Sequence, residues 1–271
     1  MKSVRQVARI LLAGAILLGP HAHATSYSTD VSDLWWVPTE SGWGMQMVQE
    51  GSTVFATLFI YGANGQPTTA VATLQSHGHG AYIWSGLLYV TTGPWFGGVF
   101  DPTLVSVTQA GSMTFQLNTV TNGNLTYSIN GVEVSKQVTR ETLTLDDYTG
   151  TYTIGVHMSA TACNNPSGNG DLAGTMNLAV SQTASTASLT WTFPNGAVCT
   201  YNGPYSQNGK MAAINANYTC TSGEVGQLDL FEMTNRMGMI SARFAGQSTN
   251  LGCQYNGYFS GIDPTLPPQL D

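Results

Sequence analysis

The sequence predicts an all-β protein built as two antiparallel eight-stranded up-and-down β-barrels of lipocalin- or avidin-like shape, and three observations predict it. Only 8% of the 271 residues are charged, about a third of the usual share, so exposed helix faces, normally written in Glu, Lys and Arg, lack their vocabulary. Short apolar–polar alternations recur along the chain between Gly, Asn and Pro, and Asn64-Gly65, Asn122-Gly123 and Asn130-Gly131 are hairpin signals. At 42% apolar and 10% aromatic residues the chain has the material for a core and is not a disordered polymer. An eight-strand meander closes into a barrel or folds into a two-sheet β-sandwich; closure removes both exposed edges and is the outcome expected, with the sandwich as alternative.

Lys2, Arg5 and Arg9 precede an apolar run from Ile10 to Leu18, followed by Gly19-Pro20 and Ala22-His23-Ala24. This is the pattern of a secretory signal peptide over residues 1–24, too short to span a hydrocarbon core of about 20 residues. Cleavage leaves five basic and fifteen acidic residues, a net charge of −10. The acidic balance excludes a basic nucleic-acid binder. A secreted or periplasmic product with no transmembrane anchor after processing follows.

Strands are expected at 43–49, 52–62, 66–75, 81–90, 104–109, 112–119, 124–129 and 132–140, with Ala110-Gly111 as one of the separating turns. A change of vocabulary at Leu143–Tyr148 divides an N-terminal domain, 25–142, from a C-terminal one, 146–262. The second half repeats the plan at 148–158, 172–181, 185–193, 196–203, 211–221, 226–235, 238–246 and 251–260. Val54 to Tyr61 is apolar on both faces, which predicts cover from outside as well as inside. A Pro-rich tail, 263–271, reads as an extended end.

Cys163, Cys199, Cys220 and Cys253 are all in the second half; an even number in an exported chain reads as disulfides. Cys199 and Cys220 lie nearly equidistant from the turn at Asn208-Gly209, so they should meet across a hairpin, leaving Cys163 to pair with Cys253. In the chain-entropy model these closures contribute roughly 3 and 4–5 kcal/mol.

Trp35-Trp36-Val-Pro38-Thr-Glu40-Ser41-Gly42-Trp43-Gly44, the strand Val54 to Tyr61 with its turn at Asn64-Gly65, Gly86 to Pro94, and Phe100-Asp101-Pro102 resemble a module of exported proteobacterial proteins. Its pattern is W-W-x-P-x-E-S-G-W-G followed by F-A-T-x-F-x-Y. The resemblance covers residues 34–140, and the Cys-containing half is similar to a companion module. It implies an exported compartment and domain limits. That family has no settled activity, so no chemistry comes with it.

The aromatic residues are the leading site candidates. Trp35, Trp36, Trp43, Trp84 and Trp95 with Phe96 stand mostly at strand ends and loops, where exposed rings could stack on sugar faces beside a rim of neutral hydrogen-bonding groups; packing inside a barrel is the competing role. Trp35 and Trp36, being adjacent, point to opposite faces of any strand. Glu40 and Asp101 would serve as the carboxylate pair of a glycosidase if they stood about 5–9.5 Å apart; turn-capping is their other reading. His77-Gly78-His79-Gly80 offers two ligands, too few for a metal. Asn164 to Asp171 lacks the carboxylates of a calcium loop. Glu232, inward with Leu228 and Leu230, needs Arg243 or Arg236 as partner. No cofactor motif is present. The function expected is an exported binding or surface-interaction protein whose ligand is a glycan or a small apolar molecule, with a hydrolase of extracellular or cell-wall polymer as the alternative.

Overall fold

The structure, a computed structural model, describes residues 30–76 and 82–265. The signal peptide, His77 and His79, and most of the Pro-rich tail lie outside the described residues.

The chain forms two closed antiparallel barrels in which each strand pairs with its sequence neighbour and the last with the first. Barrel 1 comprises β1 (Asp33–Trp36), β2 (Gly44–Glu50), β3 (Thr53–Tyr61), β4 (Pro67–Ser76), β5 (Ile83–Thr92), β6 (Ser106–Leu117), β7 (Asn122–Ile129) and β8 (Val132–Arg140). Barrel 2 comprises β9 (Gly150–Thr161), β10 (Gly170–Gln182), β11 (Thr186–Thr192), β12 (Val198–Asn208), β13 (Met211–Cys220), β14 (Val225–Arg236), β15 (Met239–Ser248) and β16 (Gln254–Ile262). The barrel expectation holds over the sandwich.

Two strand assignments are corrected. Ala110-Gly111 is no turn: β6 runs straight through it, and the register against β5 shifts where Leu88 pairs with Gly111 but Tyr89 with Gln109. Ala110 is the extra residue of a bulge. Gly111 is required there, because a Cβ would come within 2.0 Å of the Ser128 carbonyl oxygen. The eighth strand is instead β1, four residues inside the stretch read as a loop. The seam it makes with β8 is narrow: Trp35 opposite Arg140 and Trp36 opposite Thr139.

The expected cover over β3 is also corrected. Its inward residues Val54, Ala56 and Leu58 are buried, whereas Phe55, Phe59 and Tyr61 are 49%, 49% and 58% exposed. Alternation in β3 is therefore one of burial rather than of polarity.

Barrel 1 is filled by Trp35, Trp84, Phe115, Met45, Met47, Leu58 and Leu74, with Trp35 packed edge-on against Phe115 at 4.9 Å. In barrel 2, Trp191 has Tyr201, Phe244 and Phe259 around it at 5.1–5.6 Å. One end of that barrel is plugged by Tyr148, whose hydroxyl donates to the Met233 carbonyl, and Tyr152, which donates to the Tyr148 carbonyl. Near the other end, Tyr218 and Tyr255 both donate to Glu224. Burial first, then the Glu224 charge and hydrogen bond, push both tyrosine hydroxyls well above their ordinary pKa. Cys199 bonds Cys220 and Cys163 bonds Cys253 at this end, as the hairpin argument required.

The barrels meet at a polar joint. Arg140, 2% exposed, donates to Asp33 Oδ2 and to the carbonyls of Asp30, Ser32 and Val120, and stacks over Trp35. Asp33 Oδ2 also accepts from the Lys210 backbone N–H in the β12–β13 turn, and Lys210 Nζ pairs with Asp30 at 2.5 Å. Gln207 bonds the connecting segment through Thr144 and Asp146. Glu232, 8% exposed, lies 3.8 Å from Arg243, one of its two expected partners, but at a bulge between Phe231 and Thr234 that breaks the inward row of Leu228 and Leu230.

Candidate functional site: the open mouth of barrel 1

Strand order puts the β1–β2, β3–β4, β5–β6 and β7–β8 connections at one end of barrel 1, away from the joint. At that end the inward positions change character. Deeper in, they are Trp, Phe, Met and Leu; here they are Ile60, Thr68, Val90, Thr92, Thr108, Ile129 and Val134. The bulge at Ala110 resets the β6 alternation and turns Thr108 inward. These smaller side chains cannot meet across the barrel, and a cavity of about 680 Å³ remains, lined also by Tyr61, Tyr127 and Val132. The size is typical of a small-molecule site.

One wall beside this mouth carries charge. Lys136 sits on β8 two residues from Val134, on the same inward face, and its ammonium meets Glu40 Oε2 at 2.5 Å. Trp43 Nε1 donates to the same oxygen at 2.9 Å, and Lys136 lies 5.0 Å over the Trp43 ring. Lys136 first and Trp43 second hold the Glu40 carboxyl below its ordinary pKa. Burial, then the Glu40 charge, raise the Tyr127 hydroxyl. A carboxylate held ionised by two donors is poorly suited to give a proton as a general acid.

The predicted site residues separate into three groups. Trp35 and Trp84 are 0% and 1% exposed; they are core and present no ring to an outside ligand, which corrects that expectation for both. Trp43 and Glu40 stand together beside the mouth. Trp36 is half-buried on the outer face opposite Thr139, near a shallow groove of about 310 Å³ bounded by Pro38, Asn122 and Gln137. Trp95, 72% exposed, and Phe96, 97% exposed, stand on the β5–β6 loop.

Glu40 and Asp101 are not brought together as a pair. Asp101 caps the short 3-10 turn Pro102–Leu104, accepting from the Thr103 backbone N–H at 2.9 Å and its hydroxyl at 2.6 Å. Glu40 is in the β1–β2 connection and Asp101 in the β5–β6 connection, four strands apart around an eight-strand ring. Such a ring is about 16 Å across from strand spacing and tilt, beyond the separation glycosidase carboxylates use.

Among the described residues no group of three or more His, Cys, Asp or Glu is placed to share a metal ion. His157 stacks on Tyr258 instead. In the Asn164–Asp171 loop, Asn165 caps a 3-10 turn and Asn169 accepts from the Cys163 N–H, so its oxygens serve the loop. The cavity liners Thr68, Thr92 and Thr108 were missed by sequence reasoning, since nothing local shows that they share an interior. The exception is Thr92, whose parity with Leu88 and Val90 marks it as inward.

No family model matches the chain, and no curated protein matches it. Two solved structures are similar. One is a provisionally assigned outer membrane protein from Bacteroides fragilis NCTC 9343, at 9% identity and TM-score 0.31, covering 85% of this chain and 94% of that one. The other is a mutant of the vaccine antigen Transferrin Binding Protein B from Haemophilus parasuis Hp5, at 9% identity and TM-score 0.31, covering 83% of this chain and 66% of that one.

Proposed function

We propose that the protein is an exported binding protein that takes a small apolar molecule into the mouth of barrel 1. The observation that carries this is the cavity of about 680 Å³ at the one end of that barrel where Ile60, Val90, Ile129, Val132 and Val134 converge. Apolar walls favour an apolar guest through burial of its surface, and the hydroxyls of Thr68, Thr92 and Thr108 supply the few polar contacts that orient it. Two disulfides support an oxidising compartment, consistent with a leader at residues 1–24. The test uses a fluorescent apolar probe, N-phenyl-1-naphthylamine. Thr108→Phe fills the cavity and should abolish the fluorescence enhancement while leaving the fold intact; unchanged enhancement would remove the mouth as the site.

A further inference from the structure

The interior of barrel 2 is filled with aromatic side chains around Trp191, and its outer wall carries a different surface. Strand register fixes a three-by-three array on β14, β15 and β16. Gln227, Gln247 and Gln254 form one row; Asp229, Ala245 and Asn256 the next; Phe231, Arg243 and Tyr258 the third. All nine alternate with buried inward residues, Leu228 and Leu230 on β14 and Phe244 on β15 among them, so all nine face out. The central Ala245 is the small member. Around it opens a groove of about 320 Å³ with Gln227 and Asp229 on one side and Gln254 and Asn256 on the other.

We infer that this groove binds a neutral glycan, one sugar ring seated over Ala245. Three features select that chemistry. Carboxamides both donate and accept, as sugar hydroxyls do, and four of them ring the groove. Arg243 is already paired with Glu232 and the other charge of the array is the Asp229 carboxylate, so the array offers no net positive charge to a phosphate or a lipid headgroup. Tyr258, 58% exposed, gives a ring face for stacking, and it is held in place by His157, stacked on it at 5.5 Å and 15°.

Two polar groups are already oriented. Asn215 Nδ2 donates to Asp229 Oδ1 at 2.9 Å, and Gln227 Nε2 donates to Asn217 Oδ1. The row of amides continues from Gln227 through Asn217 to Asn202 on β13 and β12, a track along which further sugars of a chain would lie. Solubility does not require this composition, since Asn and Asp are depleted in strands. The outer wall of barrel 1 carries a single comparable amide row, Gln116, Asn124 and Gln137, beside hydroxyl rows such as Thr114, Thr126 and Ser135.

The purified chain would be tested on a panel of neutral oligosaccharides, including glucans, mannans and N-acetylhexosamine oligomers. At least one should be retained, and Tyr258→Ala should weaken retention about tenfold through loss of the stacking face. Asn256→Ala should weaken it as well, whereas Thr126→Ala on barrel 1 should not. These positions are exposed, so circular dichroism and Tm should stay unchanged. Naphthylamine binding at the barrel 1 mouth should be the same in all variants, which separates this site from that one. Failure to retain any neutral glycan at millimolar concentration, or retention indifferent to the Tyr258→Ala/Asn256→Ala double change, would overturn the inference.

Discussion

The two barrels have one topology and opposite interiors. Barrel 1 closes through a seam of two register pairs, carries no cysteine and stays open at one end; barrel 2 closes through nine pairs between β9 and β16, carries both disulfides and is plugged with tyrosines. The difference lies in side-chain volume at equivalent inward positions. Where barrel 2 places Tyr201, Tyr218 and Tyr255 at the corresponding end, barrel 1 places Ile60, Val90 and three threonines. Strand order alone therefore does not decide whether a barrel holds a ligand; the residues at its last inward layer do. Stability is distributed to match, with covalent closure in the filled barrel and a buried arginine at the seam of the open one.

The largest expected effect comes from the covalent side of that contrast. Replacing Cys163 and Cys253 by Ser should remove roughly 4–5 kcal/mol from barrel 2 in the chain-entropy model. Trp191 is the only tryptophan of barrel 2, so urea unfolding followed by the NMR signal of its indole N–H reports on that half, with those of Trp35 and Trp84 reporting on barrel 1. Barrel 1 should keep its own midpoint. A common shift of both halves would show that the barrels unfold as one unit.

Arg140→Leu is the counterpart in barrel 1. It leaves Asp33 without its guanidinium, and breaking such a buried pair costs about 3–5 kcal/mol. Urea denaturation should show barrel 1 unfolding first, with β1 detaching from β8. Gly209→Ala tests the joint between them. Gly209 has φ of +58°, and a Cβ would stand 2.2 Å from Asp33 Oδ2; left-handed backbone at a non-glycine residue costs about 1–3 kcal/mol. Small-angle scattering should report altered barrel orientation with both barrels still folded.

The smallest effect is acid sensitivity of the same joint. Burial would raise the Asp30 carboxyl, but hydrogen bonds from Lys210 and Ser32 outweigh it and hold the group below its ordinary value of 3.8. A depressed carboxylate contributes stability above its unfolded pKa and loses it as pH falls through the folded one. Asp146, raised by burial, acts in the opposite sense and blunts the change. Scattering profiles should therefore be constant from pH 7 to pH 5 and change only below about pH 4, in step with carboxylate titration.

Barrel 2 was legible strand by strand because its alternations are clean and Asn-Gly or Gly-rich turns separate them. Barrel 1 was legible except where tertiary structure overrides local pattern. β1 is four residues long and has no room for an alternation. Ala110-Gly111 has the composition of a turn but serves a bulge, and the close approach of Ser128 that demands glycine comes from another strand. Cys199 and Cys220 were readable because a hairpin makes their pairing local. The Arg140 joint was not, since its partners at Asp30, Asp33 and Lys210 are distant in sequence. The mouth and the Ala245 groove depend on register across several strands, which no short window contains; the tryptophans drew the eye instead, and two of them are core.

The central claim, that the apolar guest enters barrel 1 and barrel 2 is closed to it, is tested most directly by methyl NMR with added N-phenyl-1-naphthylamine. The account predicts shift changes confined to Ile60, Val90, Ile129 and Val134, with Leu189, Ile214 and Ile240 of barrel 2 unmoved. Shifts in the barrel 2 methyls, or none at the four mouth residues under saturating probe, would contradict it.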